Sequence, residues 1–174
     1  MLNVVAWRLV FISVFTCWTS IAYAEFLQGR VVAVSDGDTI KLLDADHNQY
    51  KIRLMGIDAP EKAQAYGQKS KQHLSGLVFG RDVAVEWHKR DRYQRIIGKI
   101  LVAQPDCSTC DKTVDAGLEQ VRSGLAWWYR QYAKEQSPEE RLSYDAAEAE
   151  ARNRQIGLWS DPDPVPPWDY RHKR

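Results

Sequence analysis

The sequence predicts an α+β fold that is mainly β: a small five-stranded barrel with about three helices at its flanks. Three observations carry that expectation. Five short runs are rich in β-branched and apolar residues at strand period, helical spacing sets in only after the third run, and turn residues separate the first three at hairpin distance.

The runs "FLQGRVVAV" (26–34), "TIKLLDA" (39–45) and "QYKIRLMGI" (49–57) are joined by "SDGD" and "DADHN", which reads as a three-stranded meander. Over residues 64–79, Tyr66, Ser70, Leu74, Leu77 and Val78 recur at helical spacing, and Gly80 is the expected stop. "DVAVEWH" (82–88) and "RIIGKILVA" (95–103) are the fourth and fifth strands. A second, short helix is expected in "VDAGLEQVRSG", with Asp115 as N-cap and Gly124 at its end. The third opens at Ser137-Pro138-Glu139-Glu140, where a hydroxyl, a proline and a glutamate suit the first turn. Its inward face is expected to carry Leu142, Ala146, Ala149 and Asn153, with Gly157 closing it. The tail "SDPDPVPPWDYRHKR" is proline-rich and is expected to run extended over the surface.

Residues 1–24 stand apart. They contain no Asp, Glu or Lys, a single Arg8, an apolar stretch over 9–15 and the ending Ala22-Tyr23-Ala24, so they read as a signal peptide cleaved after Ala24. An uncleaved membrane anchor is the alternative. Residues 25–160 then form one domain and 161–174 its tail, and the chain is expected to be secreted or periplasmic, without stable membrane association after cleavage. The segment removes one basic residue and no acid, leaving 23 basic residues against 23 acidic ones. Bulk charge thus argues neither for nor against a polyanionic partner.

Cys17 leaves with that segment, and Cys107 and Cys110 remain in "PDCSTCDK". In an exported chain a turn-rich pair of this kind is expected to be a disulfide. Zinc binding, redox chemistry and free thiols are the other readings of C-x-x-C; a redox site needs the first Cys at a helix N-terminus.

Five strands with a helix after the third fit a closed barrel of the OB type, an architecture that often binds oligonucleotides. Fold does not decide function, and four clusters carry the chemistry. Asp36-Gly37-Asp38-Thr39 opens strand two, and Asp58-Ala59-Pro60-Glu61 follows strand three. Taken singly, the first is a hairpin turn and the second a loop. In a meander, however, the start of strand two lies beside the end of strand three, so carboxylates from both clusters can converge on one hard cation. Arg53 on strand three and Arg95 in "DRYQR" complete the set; taken singly, each reads as solvated surface. Two guanidinium groups beside a metal-carboxylate cluster suit phosphoryl chemistry, because they grip phosphate oxygens and remain charged as negative charge builds.

"DGDT…RLMGIDAPE…DRYQR…GLA…GLW" resembles the staphylococcal nuclease (thermonuclease) family in order and spacing over about residues 26–160. The ending "GLWSDPDPVPPW" is similar to exported bacterial members with a proline-tryptophan tail. The resemblance implies an OB-type barrel and a Ca²⁺-dependent endonuclease that cleaves DNA and RNA with little sequence preference, giving 3′-phosphate ends. It implies that Asp38 and Asp58 bind Ca²⁺ with the Ala59 backbone carbonyl, that Asp36 shapes the site nearby, and that Glu61 is the general base. Arg53 and Arg95 match the two phosphate-clamping arginines. Arg92 and Tyr93 lie in the same turn as Arg95 and are taken as substrate contacts. Of the base-stacking positions, Tyr132 matches one and Arg130 stands at the other; Trp127, Trp128 and Tyr129 read as packing aromatics. Ala59 replaces the family's threonine, and Gln94 replaces a common glycine. A monomer is expected. The alternative is a catalytically inactive nucleic-acid-binding module, which would be expected to lose Arg53, Glu61 or Arg95; all three are present.

Overall fold

The β-branched runs form strands because alternate side chains bury on one face, and the strands close on themselves rather than leaving an edge. The computed structural model describes residues 25–104, 107 and 110–172. The signal-peptide reading, and Pro105, Asp106, Ser108 and Thr109 of the cysteine loop, lie outside the described residues.

Strands β1 (Glu25–Val34), β2 (Thr39–Leu43) and β3 (Gln49–Leu54) make the expected antiparallel meander. The third run is shorter than its sequence suggested: it breaks at Met55-Gly56, where Gly56 takes a left-handed conformation, and resumes as β4 (Ile57–Asp58). Helix α1 (Gly67–Val78) follows, then β5 (Asp82–Arg90) and β6 (Ile96–Val102). β5 pairs with both β1 and β6, and β6 runs parallel to β3, so β1, β2, β3, β5 and β6 close the barrel. Val31, Ile40, Leu42, Ile52, Leu54, Val83, Val85, Ile96 and Ile100 fill it. The mainly β, OB-type architecture is the one expected.

Strand β7 (Val114–Asp115) leads into α2 (Ala116–Arg122), whose N-cap is Asp115: its carboxylate accepts from the Gly117 and Leu118 backbone N–H groups. Strand β8 (Trp127–Trp128) pairs antiparallel with β4, and a 3₁₀ segment covers Arg130–Glu135. Helix α3 (Pro138–Asn153) opens with a complete capping box between Ser137 and Glu140, worth about 1 kcal/mol.

Two helical details differ from the sequence reading. The buried face of α3 is Tyr144, Ala147, Glu148 and Ala151, whereas Leu142 is 72% exposed. Alanines lie on both faces, so apolar spacing alone did not distinguish them. The helix also ends at Asn153, before Gly157, because Gln155 turns into the left-handed region and Gly157 is spent instead on a close approach to Gly124.

The tail is the larger correction. It does not run extended throughout: Pro167–His172 form helix α4, with Pro167 in the first position, where a missing N–H costs nothing. Trp168 holds it down, stacked on Tyr129 (5.2 Å between ring centroids) and edge-on to Trp127 (5.6 Å). Gln64 Nε2 donates to the Val165 carbonyl at 2.6 Å. Among the described residues no helix is long and apolar enough to cross a membrane.

Candidate active site

The site begins with the turn between β1 and β2. Asp36 Oδ1 accepts the Asp38 backbone N–H (3.1 Å), and Ser35 N–H donates to the Thr39 carbonyl (2.8 Å), so the two carboxylates sit at the barrel rim. Gly37 is required here by space rather than by backbone angle. Its φ is not positive, but a Cβ would fall 1.9 Å from Ser70 Oγ and 2.7 Å from Ala59 Cβ. Fully buried Gln120 braces the same turn, donating from Nε2 to the Gly37 carbonyl (2.7 Å), and is itself held by His73 Nδ1 at 2.5 Å.

The meander then brings the two acidic clusters together. Leu54 N–H donates to the Asp38 carbonyl (2.8 Å), placing the start of β2 against the end of β3, and the Ala59 N–H donates to Asp38 Oδ2 (3.1 Å). Arg53 points away from Ile52 and Leu54, which are inside the barrel, but not into open solvent: its side chain is 16% exposed. Nη2 lies 2.8 Å from Asp58 Oδ1 and 3.3 Å from Asp38 Oδ2, while Nη1 donates to the Ile57 carbonyl at 3.1 Å. The parallel pairing of Arg53 with Ile97 brings the neighbouring 91–95 turn to the same rim.

That turn presents Arg95, and Asp91 builds it. Asp91 Oδ1 accepts the Tyr93 and Arg95 backbone N–H groups (2.9 and 3.0 Å), and Oδ2 accepts Arg95 Nε at 2.7 Å. Gln94 takes the left-handed conformation (φ 61°) that glycine adopts more easily.

Arg53, Arg95, Asp36, Asp38, Asp58, Ala59 and Glu61 all line one cavity of about 630 Å³, together with Arg92, Tyr93 and Tyr132. Tyr93 and Tyr132 are 64% and 47% exposed at its mouth, with Arg92 and Arg95 over the Tyr93 ring and Lys89 over that of Tyr132. Arg130 does not join them. Its guanidinium binds buried Glu148 (2.6 Å) and Asp145 (2.8 Å) and lies over Trp128, outside the lining of the cavity. The aromatic neighbour of Tyr132 in the cavity is Tyr129, edge-on at 5.1 Å, placed by its N–H to the Gly56 carbonyl and by the β4–β8 pair. Trp127 and Trp128 are buried packing residues.

Three residues that brace or line the cavity went unread in the sequence, Asp91, Gln120 and Arg171, and a fourth, Tyr129, was read only as a packing aromatic. Asp91 had a local signal, since Asp-x-x-x-Arg across a tight turn suits an Asx turn with an ion pair. Arg171 had none. It reaches back from α4 to place Nη2 2.7 Å from Asp58 Oδ2 and Nη1 2.8 Å from Glu61 Oε1.

Electrostatics reflect the crowding. Burial and the nearby Asp38 charge push the Asp36 carboxyl up to about 6. Burial opposes the Asp38 charge too, but Arg53, the Ala59 N–H and the Thr39 hydroxyl outweigh it and hold that carboxyl below its ordinary range. Asp58, 1% exposed, is pushed up by burial against the opposing hydrogen bond from Arg171. Among the described residues no three carboxylate, imidazole or thiolate groups converge as a ready-made metal cage. The donor set nevertheless suits a hard cation: carboxylate oxygens of Asp38 and Asp58 lie close enough to share one guanidinium nitrogen, with the Asp36 carboxylate beside Asp38.

The family profile described as "Staphylococcal nuclease homologue" matches residues 51–161. The chain belongs to the staphylococcal nuclease family. Membership places it among the nucleases, hydrolases of phosphodiester bonds. It is 42% identical over 153 residues to "Protein ParB" of Escherichia coli, covering 87% of this chain and 82% of that one. An "Uncharacterized endonuclease" of Escherichia coli is 42% identical over 148 residues (85% and 87% of the two chains), and the "Micrococcal nuclease" of Shigella flexneri 37% over 150 (86% and 83%). Within this family member the profile begins at Lys51, so Arg53, Asp58, Glu61 and Arg95 fall inside it and Asp38 just before it.

Proposed function

We propose that this nuclease is a Ca²⁺-dependent, sequence-tolerant endonuclease that hydrolyses DNA and RNA and leaves 3′-phosphate ends. The observation that carries the reading is the convergence of Arg53, Glu61 and Arg95 with three aspartates on one open cavity rimmed by tyrosines. Ca²⁺ held by Asp38, Asp58 and the Ala59 carbonyl would supply positive charge against a phosphoryl oxygen.

The chain's own residues account for the rest. Glu61, 40% exposed at the cavity wall, accepts a proton from the attacking water as its oxygen bonds to phosphorus. The P–O5′ bond breaks, the phosphate stays on the 3′ side, and the departing 5′-oxygen takes up a proton. Arg53, fixed by backbone carbonyls, and Arg95, fixed by Asp91, oppose the negative charge that builds on the phosphoryl oxygens. Tyr93, Tyr129 and Tyr132 offer faces on which bases of any identity stack, which suits cleavage without sequence preference.

Export is part of the proposal, to the periplasm or beyond, with the chain acting as a monomer. It rests on the leader-like character of residues 1–24 and is supported by the joined Cys107–Cys110 sulfurs. The test is digestion of single- and double-stranded DNA and RNA by residues 25–174, with CaCl₂ or with chelator. Cutting that stops in chelator is expected; undiminished cutting there overturns the metal assignment, and binding without cutting favours the inactive module.

A further inference from the structure

Two arginines hold Asp58, and they differ in how they are anchored. Arg53 is part of the barrel wall: it is 16% exposed, comes from β3, and is tied to the Leu54 and Ile57 carbonyls as well as to Asp38. Arg171 comes from the six-residue helix α4, is 43% exposed, and is 113 residues away in sequence. Its fork takes both oxygens of Asp58, Oδ2 at 2.7 Å and Oδ1 at 3.3 Å, and Nη1 also spans to Glu61 Oε1. With Arg53 on Oδ1 as well, Asp58 has both oxygens engaged by guanidinium groups and almost no exposure to solvent.

We infer that Arg171 is an internal cation of this site, a latch that competes with the divalent metal for Asp58 and Glu61 and lifts when the metal binds. This rests on the metal reading proposed above. Three guanidinium hydrogen bonds already fall on the two oxygens of Asp58, and a divalent ion arriving there is repelled by both cations, so metal entry favours the departure of one of them. Arg53 is the costlier to move, because its departure strands two backbone carbonyls and Asp38. Arg171 retreats into solvent with a short helix that is fastened chiefly by Trp168 on Tyr129 and by Gln64 on Val165.

The latch has two consequences. An internal competitor reduces the apparent affinity for metal by the fraction of time the latch is open; a latch closed nine-tenths of the time weakens binding about tenfold. It also pairs with Glu61 Oε1, one of the two oxygens able to receive a proton, so metal entry frees a ligand and the base together.

Calorimetric titration of CaCl₂ into residues 25–174 tests this, in the wild type, Arg171→Gln and Trp168→Ala, with amide hydrogen exchange followed over 164–172. Arg171→Gln should bind Ca²⁺ about tenfold more tightly than wild type. Trp168→Ala, which loosens α4 without touching a carboxylate, should shift affinity the same way. Exchange in the wild-type tail should quicken when Ca²⁺ saturates the site. Equal or weaker Ca²⁺ binding by Arg171→Gln, or tail exchange that slows or stays constant, overturns the latch while leaving the metal reading intact. Absence of Ca²⁺ binding in both the wild type and Arg171→Gln overturns the two together.

Discussion

Arg53 and Asp58 lie five residues apart on either side of the Met55-Gly56 break, and their 2.8 Å ion pair ties the end of the barrel strand to the start of the 58–61 loop. The same nitrogen reaches Asp38, so one guanidinium sets the spacing of two candidate metal ligands. Arg53→Lys keeps the charge but cannot span both carboxylates and the Ile57 carbonyl. Its kcat on plasmid DNA should fall by about 10²–10³, with circular dichroism showing an intact fold; wild-type turnover would remove Arg53 from the mechanism.

Glu61 is half-open to the cavity, and its neutral isostere fits the same space. Glu61→Gln should lose about 10²–10⁴ in rate while its melting temperature stays within a few degrees of the wild type. A rate close to that of the wild type would reassign the base.

Asp36 makes a stability prediction with a definite sign. Its carboxyl rises from an ordinary 3.8 to about 6 in the folded protein because burial, then Asp38, disfavours its charge. The native state therefore binds this proton more tightly than the unfolded chain does. Its contribution is fully present below about pH 4 and is lost as pH climbs through about 6. Asp36→Asn mimics the neutral form and can still accept the Asp38 N–H. Measured by urea unfolding in chelator, it should be more stable than wild type at pH 7 by up to about 3 kcal/mol, with the difference closing toward pH 4. A constant difference across that range would assign the effect to packing.

The left-handed Gln94 carries strain at a turn whose shape Asp91 has already set. Gln94→Gly should stabilise the protein by about 0.5–1 kcal/mol with little change in kcat/KM. Asp91→Ala should do the opposite: Arg95 loses its anchor, and kcat/KM drops while the barrel persists.

Arg130 and Tyr129 are neighbours in sequence with separate surroundings, Tyr129 lining the cavity and Arg130 paired with Glu148 outside it. Arg130→Ala leaves buried Glu148 without its nearest cation and should cost about 1–3 kcal/mol in stability. Its KM for single-stranded DNA should change little. Tyr129→Ala should raise that KM, consistent with about 1–3 kcal/mol for a lost base stack. A large KM effect from Arg130→Ala would return it to the substrate surface.

Local order was legible in the sequence. The five strand runs, the Asp115 cap and the Ser137–Glu140 box each depend on residues within a few positions of one another, so spacing and chemistry sufficed to predict them. The two acidic clusters and Arg53 were also readable, since a meander dictates that the start of β2 meets the end of β3. Placement beyond adjacent strands was not. The inward face of α3 was hidden because alanines occupy both sides and its most telling inward residue, Glu148, is charged. Tyr129 rather than Arg130 lines the cavity because the β4–β8 pairing, with a backbone bond to Gly56, decides which side chain meets it. Arg171 reaches Glu61 across 110 residues, and a proline-rich tail carries no periodicity that names its partner. The sequence by itself determined which strands, caps and charged groups exist. Closure of the barrel and docking of Trp168 decided which charges meet, because side chains distant along the chain become neighbours only once burial has brought their elements together.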